Sequence, residues 1–269
     1  FGEQNHLPID FVSTHHYPTD AFGEENDDTE TQLSKSKRSV LREQAKQTAQ
    51  QAQGKPVYYT EWNASSNPRD PLHDEPYAAA FVVKTILEAH GLVEAYSFWT
   101  FSDIFEENYF PSQPFHGGFG LLTLHGIAKP TYRAFQILHR LGSELLMVTG
   151  SHETVDAWLI LDEKTAVIIL TNHALPRHLI NPEQVHIELK PLAQPRAVHI
   201  ERIDADHANA KKHWREMGEP DYLTTTQVEQ LQRASEMNKE SLPFQYGNGA
   251  VHFDINLPPH AVAAVTVSF

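Results

Sequence analysis

The fold is decided by one stretch, Pro56-Val57-Tyr58-Tyr59-Thr60-Glu61-Trp62-Asn63. It is rich in β-forming residues, opens on a proline and runs into a polar loop, which predicts a short buried strand. Glu61 stands at the carboxyl end of that strand. A carboxylate in this place, followed at once by a polar loop, is typical of the functional end of an α/β barrel. The pattern alone also fits a strand-end residue that caps the chain or forms a salt bridge.

Two further strands are predicted to end in the same way, at 8–18 and at 93–101. The first ends in His15-His16-Tyr17, and the second runs into Ser102, Asp103 and further acidic residues. Because His15 and Tyr17 are two residues apart, they face the same side of an extended chain. The alternative interpretation is that these three are ordinary loop residues.

Helices are predicted between and after these strands, at about 33–52, 76–90 and 130–142. Strand–helix units repeated at roughly 40 residues favour a parallel sheet. Three units cannot close a barrel, which needs eight strands. An open doubly wound sheet would need a phosphate loop or a dinucleotide glycine signature, and the sequence has neither.

The pattern changes after about Leu146 to short alternating β-rich runs, which predict an antiparallel sandwich. A polar excursion at about 205–248 interrupts it, with one helix expected from Thr226 to about Met237. We expect this insertion to pack back on the first part. The predicted domains are therefore 1–144 and 145–269.

Composition excludes several classes of partner. The formal net charge of −14 argues against nucleic acid and anionic lipid, which need a basic face. The sequence has no run of about 18 apolar residues, so it predicts no membrane span. The chain has no cysteine, which excludes disulfides and thiolate metal sites and slightly favours the cytoplasm. No HExxH pattern occurs among the histidines, and neighbouring side chains such as His15 and His16 diverge on a strand, so we expect no metal and no cofactor.

The motifs together carry a resemblance that covers nearly the whole chain. It rests on the stretches Asp10-Phe11-Val12-Ser13-Thr14-His15-His16-Tyr17-Pro18, Tyr59-Thr60-Glu61-Trp62-Asn63, Phe98-Trp99-Thr100-Phe101-Ser102-Asp103-Ile104-Phe105-Glu106-Glu107, Pro114-Phe115-His116-Gly117-Gly118-Phe119-Gly120-Leu121-Leu122, Asp204-Ala205-Asp206-His207-Ala208-Asn209 and Trp214-Arg215-Glu216-Met217-Gly218. With these stretches the chain resembles glycoside hydrolase family 39, in its bacterial β-xylosidase branch.

The resemblance implies a (β/α)8 TIM barrel followed by a β-sandwich, with the three predicted strands as barrel strands six to eight. It implies a retaining, double-displacement hydrolase that removes β-1,4-linked xylose from the non-reducing ends of xylooligosaccharides, or cleaves aryl-xylosides. Glu61 would be the nucleophile. The family's acid/base lies in an Asn-Glu-Pro-type motif that this sequence lacks. We therefore expect a fragment or a truncated homologue that is inactive alone.

The same resemblance implies roles for residues around Glu61. His15 and Tyr17 would hold its carboxylate, and Trp99 would be the sugar platform, with a cis Trp99–Thr100 peptide. Glu106 and Glu107 would reach sugar hydroxyls, and Phe115 and His116 would wall the pocket. The alternative for Trp99 is a tryptophan of the hydrophobic core. The alternative for Glu106 and Glu107 is a solvent-exposed acidic pair.

Two other functions stay open from the sequence. One is a different glycosidase of the same family type, an α-L-iduronidase or a β-glucosidase. The other is a non-catalytic carbohydrate-binding or structural half-barrel. A three-stranded piece of a barrel exposes sheet edges, so we expect a homo-oligomer or association with the missing barrel half.

Overall fold

The computed structural model describes residues 7–19, 28–104, 111–162, 164–190 and 193–269. Its first part is a parallel sheet of three strands, β1 (Val12–His16), β2 (Val57–Trp62) and β3 (Ala95–Phe98). The strands lie in chain order, β1-β2-β3. Each connection therefore moves the chain one strand further in the same direction, without the reversal that defines a doubly wound sheet. The three predicted strands are confirmed.

Helices cover one face of this sheet. They are α1 (Thr29–Lys35), α2 (Val40–Gln51), α3 (Pro76–Glu88) and α4 (Pro130–His139), with a 3₁₀ turn at Pro71–Asp74. The prediction of one helix over 33–52 was wrong. The chain breaks between α1 and α2, where Arg38 turns away to bond the backbone oxygens of Thr154 and His173. Contacts more than a hundred residues away outweigh the local helical pattern there.

The second part is built from two antiparallel sheets, so its predicted β-rich character is confirmed. One sheet has the order β4-β5-β6-β12-β8-β9 and the other β10-β11-β7. Their strands are β4 (Glu144–Leu146), β5 (Val155–Asp162), β6 (Thr165–Asn172), β7 (Glu183–Leu189), β8 (Ala197–Ile203), β9 (Glu240–Ser241), β10 (Gln245–Gly247), β11 (Ala250–Leu257) and β12 (Val262–Ser268). The strands β4, β9 and β10 were not predicted, because two or three residues give no readable alternation.

Aliphatic side chains fill the space between the two antiparallel sheets. Leu170, Ile200 and Val265 of the larger sheet pack against Phe253 and Ile255 of the smaller one. Alternate residues of the larger sheet point the other way and pack on α3 and α4. The larger sheet therefore has both of its faces covered.

Helix α3 lies between the two parts of the chain. Every residue from Pro76 to Thr85 is buried. One side of the helix packs with Trp62 of β2, and the other packs Ala79 and Val83 against the larger antiparallel sheet. The small alanines let both neighbours approach closely. The helix is thus enclosed on two sides.

The insertion packs back on the first part, as expected, but it holds two helices instead of one. They are α5 (Ala210–Glu216) and α6 (Thr225–Ala234), the second opened by a capping box at Thr224. Trp214 of α5 packs on Phe115, and Arg215 pairs with Glu75 at the start of α3. Helix α5 escaped prediction because Trp214 is its one large apolar side chain. Across the described residues, no helix combines the length and apolar character needed to cross a bilayer.

Candidate active site

A β-bulge brings Glu61 to the open face of the parallel sheet. In a regular strand Glu61 would follow Tyr59 into the helix layer, because residues two apart share a face. Tyr59 and Trp62 are instead both buried on the helix side, and the pairing of β2 with β1 and with β3 shifts at this point. The extra residue in β2 leaves Thr60 and Glu61 between them, toward the uncovered face. Bulges of this kind re-aim side chains next to functional sites.

Two side chains from the end of β1 meet one oxygen of Glu61. The Tyr17 hydroxyl donates to Glu61 Oε1 at 2.8 Å. The His15 Nδ1 lies 3.5 Å from the same oxygen, a separation that becomes an ion pair only when His15 is protonated. Glu61 keeps a quarter of its side chain exposed. The prediction that His15 and Tyr17 face the same side is therefore confirmed.

His16, between them, points into the helix layer. Its ring stacks on Tyr59 with centroids 3.7 Å apart. Burial lowers the pKa of His16 from 6.5 to about 3, so the ring is neutral at physiological pH. The position of the His16 ring agrees with strict alternation along β1, and it places the ring on the opposite face of the sheet from the Glu61 carboxylate.

Trp99 directly follows β3 and is bonded to the strand that carries Glu61. Its backbone N–H donates to the carbonyl oxygen of Trp62 at 3.0 Å. Along β3, Ala95 and Ser97 are exposed on the open face, so the same alternation, continued one residue past Phe98, predicts that Trp99 faces that side. The Trp99–Thr100 peptide is cis, as the resemblance implied.

A buried ion cluster anchors the loop that follows Trp99. Lys129 Nζ lies 2.7 Å from Asp74 Oδ1 and 2.8 Å from Asp103 Oδ2, and none of the three side chains is exposed. The same ammonium donates to the Gly118 carbonyl, and Asp103 accepts from the Gly120 N–H. A Cβ at Gly120 would lie 2.3 Å from the Asp103 nitrogen, so the close approach requires glycine. The sequence alone gave no sign of this cluster.

Lys129 and Asp74 keep their charges despite complete burial. Burial alone would lower the pKa of Lys129, but the carboxylates of Asp74 and Asp103 outweigh it and raise that pKa. Burial alone would raise the pKa of Asp74, but Lys129 and Lys211 outweigh it and lower that pKa. Charged hydrogen bonds of this kind hold backbone firmly.

The remaining predicted site residues differ in outcome. Phe115 is 4% exposed and packs on Trp214, so its ring lies in a hydrophobic cluster instead of lining a pocket. His116 is half-buried, its Nδ1 3.2 Å from the Gln113 carbonyl oxygen, and burial lowers its pKa. Glu106 and Glu107 lie outside the described residues. Over the described part of the chain, no group of three or more metal-ligating side chains is arranged to hold an ion.

The family model described as "Glycosyl hydrolases family 39" matches residues 1–251. The chain belongs to glycosyl hydrolases family 39. It is 45% identical over 271 residues to a beta-xylosidase of Caldicellulosiruptor saccharolyticus, covering 99% of this chain and 56% of that protein. It is 30% identical to a beta-xylosidase of Geobacillus stearothermophilus, covering 99% of this chain and 53% of that protein.

The fold also matches a solved family structure. The crystal structure of a monomeric beta-xylosidase from Caulobacter crescentus CB15 superposes with a TM-score of 0.75 at 24% identity, over 99% of this chain and 57% of that one. At that identity the likeness speaks for the fold alone. The chain spans about half the length of the family 39 relatives it matches.

Proposed function

We propose that this chain is part of a retaining β-xylosidase in which Glu61 is the nucleophile. The observation that carries the proposal is the position of Glu61, turned by the bulge to the open face at the carboxyl end of a parallel strand, with Tyr17 donating to it. The family and the names of its relatives support the choice of a glycosidase and of xylose.

The proposed architecture is the closing part of a (β/α)8 barrel, at 1–144, followed by a β-sandwich at 145–269 with the helical insertion at about 205–248. The sequential order of β1, β2 and β3 supports it, since a barrel adds its strands in chain order. The uncovered face supports it as well. Ser13, Thr60 and Ser97 are exposed there, where the interior of a complete barrel would be.

In the proposed reaction the Glu61 carboxylate attacks the anomeric carbon of xylose. The bond to the leaving oxygen breaks, that oxygen takes a proton from a second carboxylic acid, and a covalent glycosyl-enzyme forms. The second carboxylate then takes a proton from water, which displaces Glu61 and restores the original anomeric configuration. Retaining enzymes hold the two groups about 5–5.5 Å apart. We propose that the acid/base comes from barrel strands outside this chain.

The neighbours of Glu61 have matching roles in this proposal. The Tyr17 hydroxyl holds Oε1, which orients the carboxylate for attack. His15 lies close enough to add a positive charge when it is protonated. Trp99 offers an aromatic face to the C–H face of the sugar. We further propose that Glu106 and Glu107 bond sugar hydroxyls and that His116 walls the pocket.

The proposed substrates are xylooligosaccharides, cleaved at the non-reducing end, and aryl-xylosides. The proposed macromolecular partner is the rest of the barrel or a second copy of the chain. Leu7, Ile9 and Phe11 next to β1 are each 44% exposed or more. Apolar side chains grouped at a sheet edge mark a contact surface.

The test is Glu61→Ala in a chimera in which this chain replaces the matching part of the Caldicellulosiruptor relative. Without the nucleophile, turnover of an aryl-xyloside should fall by at least about 10⁴-fold, by analogy with the loss of other catalytic nucleophiles. Added azide should restore cleavage of an activated substrate and give a product of inverted configuration, because a small anion fits the space left by the carboxylate.

The matched control is Glu94→Ala. Glu94 is an exposed carboxylate at the opposite end of the neighbouring strand, so turnover should not change. Normal activity in the Glu61→Ala chimera would end the assignment. Cleavage of a glucoside or an iduronide in preference to a xyloside would keep Glu61 and change the sugar.

A further inference from the structure

Asn63 lies two residues beyond Glu61 and is almost completely buried, at 1% exposure. Its Nδ2 donates to the Trp99 carbonyl oxygen at 2.5 Å and to the Phe119 carbonyl oxygen at 3.3 Å. Its Oδ1 accepts from the Ala64 N–H at 2.6 Å. Both amide hydrogens and the amide oxygen are therefore used, and each bond goes to main chain instead of to another side chain.

These bonds extend the sheet beyond its last backbone pair. Strands β2 and β3 are paired as far as Trp62 and Phe98. The Trp99 N–H still reaches the Trp62 carbonyl, but the Trp99 carbonyl meets the side chain of Asn63 where a further strand residue would offer its own N–H. The Asn63 amide thus stands in for one more ladder hydrogen bond.

The Asn63 amide also holds the backbone at Phe119 in place. The carbonyl oxygen of Phe119, which is the second acceptor of this amide, also accepts a hydrogen bond from the Thr100 N–H at 3.0 Å. The next residue, Gly120, is bonded to Asp103 of the buried ion cluster. Asn63 therefore joins three things: the strand end with Glu61, the backbone of Trp99, and the turn fixed by Lys129.

We propose that Asn63 is a positioning residue that sets the place of Trp99 relative to Glu61. The inference rests on the proposed function, in which Trp99 packs on the sugar that Glu61 attacks. Asparagine is required because it alone supplies two donors at this length. Aspartate has the same shape but would turn a carboxylate toward two carbonyl oxygens. Misplacement by about 1 Å at such a site lowers turnover by roughly a hundredfold.

The first test uses this chain as it is, with ¹⁵N-labelled tryptophan. Four indole N–H signals are expected, from Trp62, Trp99, Trp158 and Trp214. Asn63→Asp and Asn63→Ala should shift the Trp99 signal and leave Trp158 and Trp214 in place. The matched control is Asn67→Asp in the same loop, which bonds Thr29 and not Trp99, and should leave all four signals unchanged.

The second test is a double-mutant cycle in the chimera used for Glu61. Asn63→Asp should lower kcat/KM for an aryl-xyloside about a hundredfold in the parent, but less than about threefold when Trp99 is already alanine. Equal losses in both backgrounds would overturn the proposal, as would an unmoved Trp99 signal. Loss of folding in both Asn63 variants would assign the residue a purely structural role. Full activity of Glu61→Ala would instead refute the proposed function, whatever Asn63 does.

Discussion

The backbone around Glu61 is held by buried charges and amides, whereas the two antiparallel sheets are held by hydrocarbon. In the first part, Lys129 lies between Asp74 and Asp103, and Asn63 bonds two carbonyl groups, all out of contact with water. In the second part, Ile200 and Val265 of one sheet face Phe253 of the other. The first part also leaves one sheet face open, and the second covers both faces of its larger sheet.

The difference follows from the backbone that each region has to hold. Regular strands satisfy their own hydrogen bonds, so apolar side chains can fill the space between sheets. The described stretches 99–104 and 111–120 contain no regular strand or helix, so their carbonyl and N–H groups need partners from side chains. Polar anchoring is directional, so it holds irregular backbone in one position relative to Glu61.

The largest effect on stability is expected from breaking the polar anchor. Lys129→Met removes the ammonium that pairs with both Asp74 and Asp103, and it leaves both carboxylates buried, Asp74 with the longer pair to Lys211 at 3.8 Å. Removal of one partner from a buried ion pair costs about 3–5 kcal/mol. We expect a loss of about 4 kcal/mol in the free energy of unfolding, measured by urea titration.

The matched control for this change is Lys190→Met. Lys190 also pairs with a carboxylate, Glu188, but is 78% exposed, and exposed pairs contribute little. Its loss should lie within the error of the titration. An equally small loss in Lys129→Met would mean that the ion cluster does not stabilise the fold.

A smaller effect is expected from breaking the hydrocarbon core. Ile200 lies between the two sheets and is 1% exposed. Ile200→Ala should lower the free energy of unfolding by about 3 kcal/mol, within a range of roughly 2–5. In the monomeric chain, where no partner covers it, Phe11→Ser should change stability by less than about 0.5 kcal/mol, because Phe11 is 55% exposed. A large loss from Phe11→Ser in the same urea titration would show that this face is covered in solution, by a second copy or another chain.

The smallest effect is a dependence of stability on pH. His16 has a folded pKa of about 3 and an ordinary pKa near 6.5 when unfolded. Between these values the unfolded chain binds a proton that the folded chain does not, so stability falls as pH falls, by about 1.4 kcal/mol per pH unit. His16→Phe keeps a ring on Tyr59 and should remove about 1.6 kcal/mol of the loss between pH 6.5 and pH 5.

The other buried histidines are present in both the parent and the His16→Phe variant, so their contributions cancel in the comparison. A parent and a His16→Phe variant with the same slope would mean that His16 is protonated in the folded chain.

The local sequence pattern predicted most helices and strands, but it missed structural features that depend on residues far apart in the chain. The strands at 57–62 and 95–98 and the helix from Pro76 were readable because apolar spacing and proline mark them. The break between α1 and α2 was not readable, since Arg38 is drawn out by Asp156 and by backbone far along the chain. Two or three residues are also too few to show a strand period, which hid β4, β9 and β10.

The geometry around Glu61 was predictable from the sequence only in part. Alternation correctly grouped His15 with Tyr17, and both side chains lie beside the carboxylate of Glu61. The same alternation, applied strictly, would have turned Glu61 into the helices, because the bulge depends on pairing with both neighbouring strands. The packing of Phe115 on Trp214 was hidden because α5 was not recognised. From the sequence, Asn63 was predicted only to end the strand and begin the polar loop.

Helix α3 makes the boundary between the two parts a poor place to exchange sequences among relatives. Its buried alanines were selected against two surfaces at once, one from each side of the cut. A recombinant with 1–144 from one protein and 145–269 from another would have poorly matched side-chain packing along α3. The two parts are therefore better exchanged together, as the single segment 1–269.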